Sequence, residues 1–280
     1  MDLREIVDTG RFPLDAAGGA GWTEAVGRAR AELGRDGCTV LRGFVRAGMQ
    51  ERLREEGVGV APHAYREVEI VNVYNTDPDP ALPADHPGRR TVERGNAFVP
   101  RDRIPADLLI SRLYGSTEVR RFVAACVEVP EVHALADPLA GLCLNVVAPG
   151  REHPWHFDTN EFAVSLLTRA PEGGGAFEYV PGIRAPGDER FADVAAVLDG
   201  RSDRVRRLVL QPGDLQIFRG RYALHRVTAV QGRVDRHTAI LSYSARPGVV
   251  GGAARTRQLF GRLTPAHLAG ERSRVDELLD

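Results

Sequence analysis

The sequence predicts a mainly β protein with surrounding helices, its core an antiparallel jelly roll. Two observations carry this. From Asp137 onward the chain runs through short segments rich in Val, Leu, Ile, Phe and Tyr, broken by Pro and Gly. A series of strands at such spacing suits a double-sheet roll, which protects strand edges. The segments with helical spacing lie mostly before and after this run.

Trp22 to Leu33 has helical spacing and is expected to end near Gly34. CTVLRGF (38–44) reads as a strand and Met49 to Glu56 as a short helix. Residues 65–74 alternate like a strand. Residues 75–105, with many prolines, read as a long irregular loop of the kind that often serves as a lid. Ser116 to Val127 is a helix opened by a Ser-Thr-Glu start signal. DPLAGLCLNVVAPG (137–150) reads as a buried strand ending at a Pro-Gly turn. The next strands are AVSLLT (163–168), GGAFEYVPG (174–182), RRLVLQPGDLQIFRG (206–220), ALHRVTAV (223–230) and TAILSYSARPG (238–248). Phe191 to Leu198 is a helix inserted among them, and residues 265–279 suit a terminal helix opened by Thr264-Pro265. There is no internal repeat and no low-complexity tail.

Composition bounds the function. The 280 residues carry 43% hydrophobic and 27% charged side chains, ordinary for a globular protein with a substantial core. A net charge of −1 argues against a general nucleic-acid surface. All 37 basic residues are Arg, which with abundant Ala, Gly and Pro reflects a GC-rich coding bias rather than many anion sites. Cys38, Cys126 and Cys143 are odd in number and unpaired in spacing, as in a reducing compartment. The acidic N-terminus has no apolar stretch of a signal peptide, and no run approaches a membrane span. The expectation is a cytoplasmic protein without nucleic-acid or membrane partners; the oligomeric state is not legible.

The chemistry centres on His156-Phe157-Asp158. On an extended strand, residues two apart share a face, so His156 and Asp158 reach one ion while Phe157 points away. With His225 from another strand, two imidazoles and one carboxylate suit non-haem Fe(II) with one face left open. Arg236, eleven residues after His225, has room to return on a neighbouring strand and grip a dicarboxylate that chelates the metal. A lone His-x-Asp is weak by itself, since a strand-end pair bonded to backbone gives the same text. Gly173 to Gly175 lack the Lys-Ser/Thr of a P-loop and read as a hairpin turn.

The segment Ala136 to Val250 resembles the Fe(II)/2-oxoglutarate-dependent oxygenases, and within them the branch of free-amino-acid halogenases and related hydroxylases. The matching text is DPLAGLCLNV, HPWHFDTNEF, GGAFEYVPGIR, PGDLQIFRGRYALHRVT and AILSYSARPG, with fainter likeness at LPADHPGRR and RTRQLFGRLTPAH. The resemblance implies a distorted double-stranded β-helix, a cupin-like jelly roll. Residues 1–280 then form one oxygenase domain: a helical and loop segment over residues 1–135, a core of about 136–250 and a helical extension 251–280. It implies Fe(II), 2-oxoglutarate and O2, with His156, Asp158 and His225 as iron ligands, Arg236 as the 2-oxoglutarate anchor and Thr238 as the hydroxyl beside it. Halogenases of this branch carry Gly or Ala at the carboxylate position, leaving room for chloride. Asp158 departs from that pattern and makes hydroxylation the expected outcome; substrate placement decides between it and desaturation or cyclisation.

Secondary candidates each have a plain alternative. Asn145, in an apolar strand, is a 2-oxoglutarate contact or a backbone-bonded core residue. His153 is a substrate-side or cosubstrate-side residue or a turn histidine. Asn160 and Glu161 face substrate or solvent. Arg89, Arg90 and Arg94 on the 75–105 loop hold a substrate carboxylate or are ordinary surface residues. Phe260 walls the pocket or packs in the core. The expected substrate is a small polar molecule, most simply a free amino acid, with Thr159 standing where lysine-specific relatives place an acid. A cupin-type metalloenzyme without 2-oxoglutarate and a non-catalytic binding barrel are the other classes open to such a chain; Arg236 argues against the first and an intact triad against the second.

Overall fold

Two antiparallel sheets organise the chain. The computed structural model describes residues 2–268 and 276–279. The major sheet has six strands in the order Cys38–Leu41, Leu215–Phe218, Ala163–Arg169, Arg236–Leu241, Leu142–Val147 and Ala97–Val99. The minor sheet has four, in the order Arg206–Leu208, Phe177–Val180, Leu224–Val227 and His153–His156. All ladders in both are antiparallel.

The central strands of the major sheet carry one apolar face, while the opposite face holds the buried polar residues Asn145, Ser165, Gln216, Arg236 and Thr238. Val164, Leu166, Leu144, Val146, Leu215, Ile217, Ala239 and Leu241 join one core cluster with the helices that precede them in sequence. The first long helix, Ala20–Asp36, buries Trp22, Ala25, Val26, Ala29 and Leu33 at helical spacing. Trp22 meets Phe122 of the Thr117–Val127 helix edge-on at 5.1 Å. Ser116 caps that second helix by accepting from the Val119 amide. A separate cluster, including Val73, Tyr74, Phe157, Val180, Ile183, Val194, Val197 and Leu224, lies against the minor sheet. The three cysteines are free and buried, and burial pushes each thiol up to about 12. Among the described residues, no helix is long and apolar enough to cross a membrane.

Several expected boundaries move. The first helix passes Gly34 and stops at Gly37, whose left-handed backbone (φ 68°) closes the last turn. The expected Met49–Glu56 helix spans Ala47–Val60. Of residues 65–74, Glu69–Val71 forms a strand, paired with Val92–Arg94, and Tyr65 makes an isolated bridge to Phe98. The stretch 75–105 is therefore not wholly irregular: its second half supplies that hairpin and the edge strand Ala97–Val99. The helix at Leu109–Gly115 has no counterpart among the elements expected from sequence. The terminal helix expected over 265–279 is present at Pro265–Leu268; residues 269–275 lie outside the described residues, and 276–279 are not helical.

Candidate active site

The minor sheet brings two histidines together. His156 ends the His153–His156 strand, and the antiparallel register sets it directly opposite His225 on Leu224–Val227. Directly opposed residues project to the same face. Two residues past His156 the chain has left the sheet but stays extended along its neighbours. The Phe157 amide donates to Val73 O at 2.9 Å and the Asp158 amide to Gly220 O at 3.2 Å. Phe157 points away, stacked on Tyr74 at 5.6 Å with the Arg184 guanidinium 3.8 Å from its centroid.

One ligand atom from each of His156, Asp158 and His225 lies within 4.8 Å of the others. Asp158 Oδ1 is 3.8 Å from His156 Nε2 and 3.6 Å from His225 Nε2. Each imidazole is oriented from behind: Nδ1 lies 2.7 Å from Pro154 O in His156 and 2.9 Å from Ala223 O in His225. A proton on Nδ1 satisfies those carbonyls and leaves the Nε2 lone pair facing the centre. Burial, with His153 and His225 nearby, holds His156 well below the usual histidine range. Burial opposes the Asp158 charge, but the neighbouring His225, with help from His156 and Arg255, outweighs it and holds the carboxyl below the usual carboxylate range. A neutral imidazole and a carboxylate are the forms a metal binds.

Beside the triad runs a polar file. Thr238 lies opposite Asn145 in the ladder between Arg236–Leu241 and Leu142–Val147, and Arg236 two residues earlier donates to the Thr238 hydroxyl. Arg236 is buried, and burial alone pushes it down to about 10. No acidic side chain among the described residues forms an ion pair with it. Gly175 leaves the room it needs, since a Cβ there would stand 2.9 Å from Arg236 Cδ. Asn96 Nδ2 donates to Asn145 Oδ1 at 3.3 Å, and Asn145 Nδ2 lies 3.3 Å from His153 Nδ1. The His153 ring stacks on His156 with centroids 3.8 Å apart, and its buried Nε2 has no partner.

A family model described as "HalD: Halogenase D" matches residues 22–254. The chain belongs to the Halogenase D family. No curated protein matches it in sequence. Among solved structures it is similar to AviO1 from Streptomyces viridochromogenes, at 20% identity and TM-score 0.54, covering 80% of this chain and 96% of that one. It is similar to an oxidoreductase of the 2OG-Fe(II) oxygenase family from Burkholderia pseudomallei, at 16% identity and TM-score 0.51, covering 84% and 94%. A third is the non-haem α-ketoglutarate-dependent epimerase SnoN from nogalamycin biosynthesis, at 16% identity and TM-score 0.50, covering 78% and 81%. These likenesses show the fold, and among the described residues His156, Asp158 and His225 form the group that could hold a metal ion.

The remaining sequence candidates separate cleanly. Arg94 is buried beside the polar file: Nη2 donates to Gln258 O at 2.8 Å, while Nε and Nη1 have no partner. Phe260 is buried one ring away, edge-on to Phe98 at 6.3 Å, and Phe98 in turn meets the His153 ring at 6.0 Å. Arg89 is exposed and donates to Leu82 O at 2.8 Å, and Arg90 pairs with Asp199 at 2.5 Å. Both guanidiniums are thus committed to the loop and the Phe191–Leu198 helix end, away from the triad. Asn160 is half-buried and Glu161 exposed, and neither side chain hydrogen-bonds to the triad.

Two residues of this neighbourhood escape sequence reading. Asn96 starts the polar file but sits in a stretch that reads as loop. Arg255 lies on the Ala253–Phe260 helix, which packs on the Ala97–Val99 strand. Its Nη1 donates to Gln258 Oε1 at 3.3 Å, and its charge acts on both Asp158 and His153. Thr256 and Phe260, buried one helical turn apart, mark that helix's inward stripe, and Arg255 flanks it.

Proposed function

We propose that His156, Asp158 and His225 hold Fe(II), that Arg236 and Thr238 hold the distal carboxylate of 2-oxoglutarate, and that the enzyme hydroxylates an unactivated carbon of a free amino acid or similar small polar metabolite. On this reading residues 1–280 form one catalytic domain, its two sheets being the faces of a distorted double-stranded β-helix. The observation that carries the reaction type is the Asp158 carboxylate itself. It stands 3.6 to 3.8 Å from both imidazole Nε2 atoms, where it would complete the ligand set for Fe(II) in place of a halide.

Bound Fe(II) with 2-oxoglutarate supplies the oxidising power for the C–H bond. The chain's own residues do the rest. Asp158 and the two histidines occupy one face of the metal and leave the other open. Arg236, buried without an acidic partner, fits a carboxylate by its planar fork, and the Thr238 hydroxyl fixes that fork. Asn145 orients His153 from its Nδ1 side, and the unpartnered His153 Nε2 is left to hydrogen-bond cosubstrate or substrate. Arg94 offers two free guanidinium donors to a substrate carboxylate, with Phe98 and Phe260 packed behind.

The test is a mass-spectrometric screen of free amino acids with Fe(II), 2-oxoglutarate and ascorbate, reading succinate and product mass. Oxygenated product with matched succinate is expected. Succinate release stimulated only by carrier-bound aminoacyl substrates or by an apolar compound that is not an amino acid would sink the substrate reading.

A further inference from the structure

Among the unsatisfied polar atoms around the triad, the charged ones are guanidinium nitrogens of Arg94. His153 Nδ1 bonds to the Asn145 amide, which is linked in turn to Asn96, and His153 Nε2 is buried without a partner. Arg94 is 2% exposed and has Nε and Nη1 unpartnered. Arg255 is half-buried, its one side-chain hydrogen bond going to a neutral amide.

Arg94 and Arg255 converge. One donates to the backbone oxygen of Gln258 and the other to its side-chain oxygen. They approach from different elements, the Val92–Arg94 strand and the Ala253–Phe260 helix. Neither has an ion-pair partner among the described residues. Glu69 stands opposite Arg94 in the hairpin register, yet acts on both guanidiniums only from beyond ion-pair distance. Burial depresses both, Arg255 down to about 9, and outweighs the attraction of Glu69 for both and of Asp158 for Arg255.

A buried cation left unpaired is strongly destabilising, so buried Arg94 with half-buried Arg255 beside it suits an anionic ligand. Arg236 is already assigned to 2-oxoglutarate. Asp158 is the single acid of the triad, and a divalent metal more than offsets its charge. The site is therefore left with an excess of positive charge that a zwitterion of net zero charge does not neutralise, and that a cationic amino acid would worsen.

We propose that the substrate is a small amino dicarboxylate, net negative at neutral pH, with one carboxylate received by Arg94 and the second by Arg255. This rests on the assignment of the triad and Arg236 made above. Arg255 is then the specificity-determining residue: it selects an acidic side chain over an aliphatic or basic one.

The experiment is calorimetric titration of the enzyme loaded with Fe(II) and saturating 2-oxoglutarate, without O2, against L-aspartate, L-glutamate, L-leucine and L-lysine. At least one acidic amino acid is expected to bind more than about tenfold tighter than leucine or lysine. Arg255→Gln should weaken that binding by more than about tenfold, the usual consequence of losing one partner of a buried charged pair. Arg255→Lys should recover part of it. The affinity for 2-oxoglutarate, measured separately, should stay unchanged in both variants, which shows that the site is still folded. Arg94→Gln gives a second, independent loss from the opposite element. Leucine or lysine binding as tightly as the acids, no binding of either acid, or acid affinity unchanged in Arg255→Gln each overturns the proposal. Failure of the wild-type enzyme to bind 2-oxoglutarate would instead remove the assignment beneath it.

Discussion

Gly220→Ala isolates the geometry of the proposed metal centre better than removing a ligand does. A Cβ at position 220 would stand 2.1 Å from Asp158 Oδ2 and 2.8 Å from its carboxyl carbon. Ordinary contact begins at 3.4 Å, so the carboxylate must retreat by about 1.3 Å or turn away. Backbone movement offers little relief. Gly220 O accepts from the Asp158 amide, Gly220 N donates to Phe218 O at 3.0 Å, and the next residue, Arg221, is fully buried and paired with Asp276. The conformation at 220 does not require glycine, so the variant introduces the clash without backbone strain.

Functional constellations tolerate displacements of about 0.5 Å, well below what the clash demands. Losing the carboxylate from its place should weaken metal binding about 10- to 100-fold, as disturbing a ligand's support commonly does. The fold should persist, since the displaced group is a half-buried side chain rather than part of either core cluster. The assay is anaerobic titration with Fe(II) or Co(II), alongside thermal unfolding of the metal-free protein. A cycle with Asp158→Gly sharpens it: if the clash acts through the carboxylate, the two losses do not add. Wild-type metal affinity in Gly220→Ala, or full additivity with Asp158→Gly, would refute the assignment of Asp158 as a ligand.

Arg236→Ala should weaken 2-oxoglutarate binding by roughly 2–5 kcal/mol, and Arg236→Lys should restore only a fraction, both read by titration of the anaerobic iron enzyme. Wild-type enzyme in excess chloride should give oxygenated or desaturated product and no chlorinated product by mass spectrometry; Asp158→Gly should bind iron more weakly and lose most hydroxylation. His237, in the middle of the major sheet, is buried with neither ring nitrogen partnered, and burial pushes it down to about 4. The unfolded chain therefore takes up that proton first: stability from this residue is complete above about pH 6.5 and falls by up to roughly 3 kcal/mol as pH drops towards 4. His237→Phe should narrow the gap between urea midpoints at pH 7.5 and 5, and an unchanged gap would assign the acid loss elsewhere.

What can be read from the sequence is what is local along the chain. The runs at Leu142–Val147 and Ala163–Arg169 announce strands because both are almost wholly buried and mostly apolar, with Asn145, Ser165 and Thr168 as the buried polar exceptions. The clustering of His156 and Asp158, the proposed metal ligands, is legible for a similar reason: they are two residues apart along one segment of chain. The edge strand Ala97–Val99 and the Val92–Arg94 hairpin are not. Their sequence carries Gly95, Asn96 and charged residues, and what makes them strands is pairing with Leu142–Val147 and Glu69–Val71, which no local pattern encodes. The alternation at 65–74 misleads in the opposite direction, for Val68 and Ile70 are 45% and 59% exposed and face no sheet. Arg94 and Arg255 show the same limit at the site. They meet at Gln258 from segments far apart in sequence, and nothing near Arg255 distinguishes it from Arg257, which is exposed.

The Asp158–Gly220 contact bears on why a hydroxylase ligand set stands in a family described by halogenation. The carboxylate occupies space that a side chain at 220 would otherwise fill, and the turn holding position 220 also supplies the carbonyl that fixes the Asp158 backbone. Placing the acid therefore demands a matched glycine on a different strand connection, not just one changed residue. On this account Asp158→Gly alone should be a poor route to chlorination even though it removes the carboxylate, because the turn at Gly220 is fitted to a carboxylate packed against it.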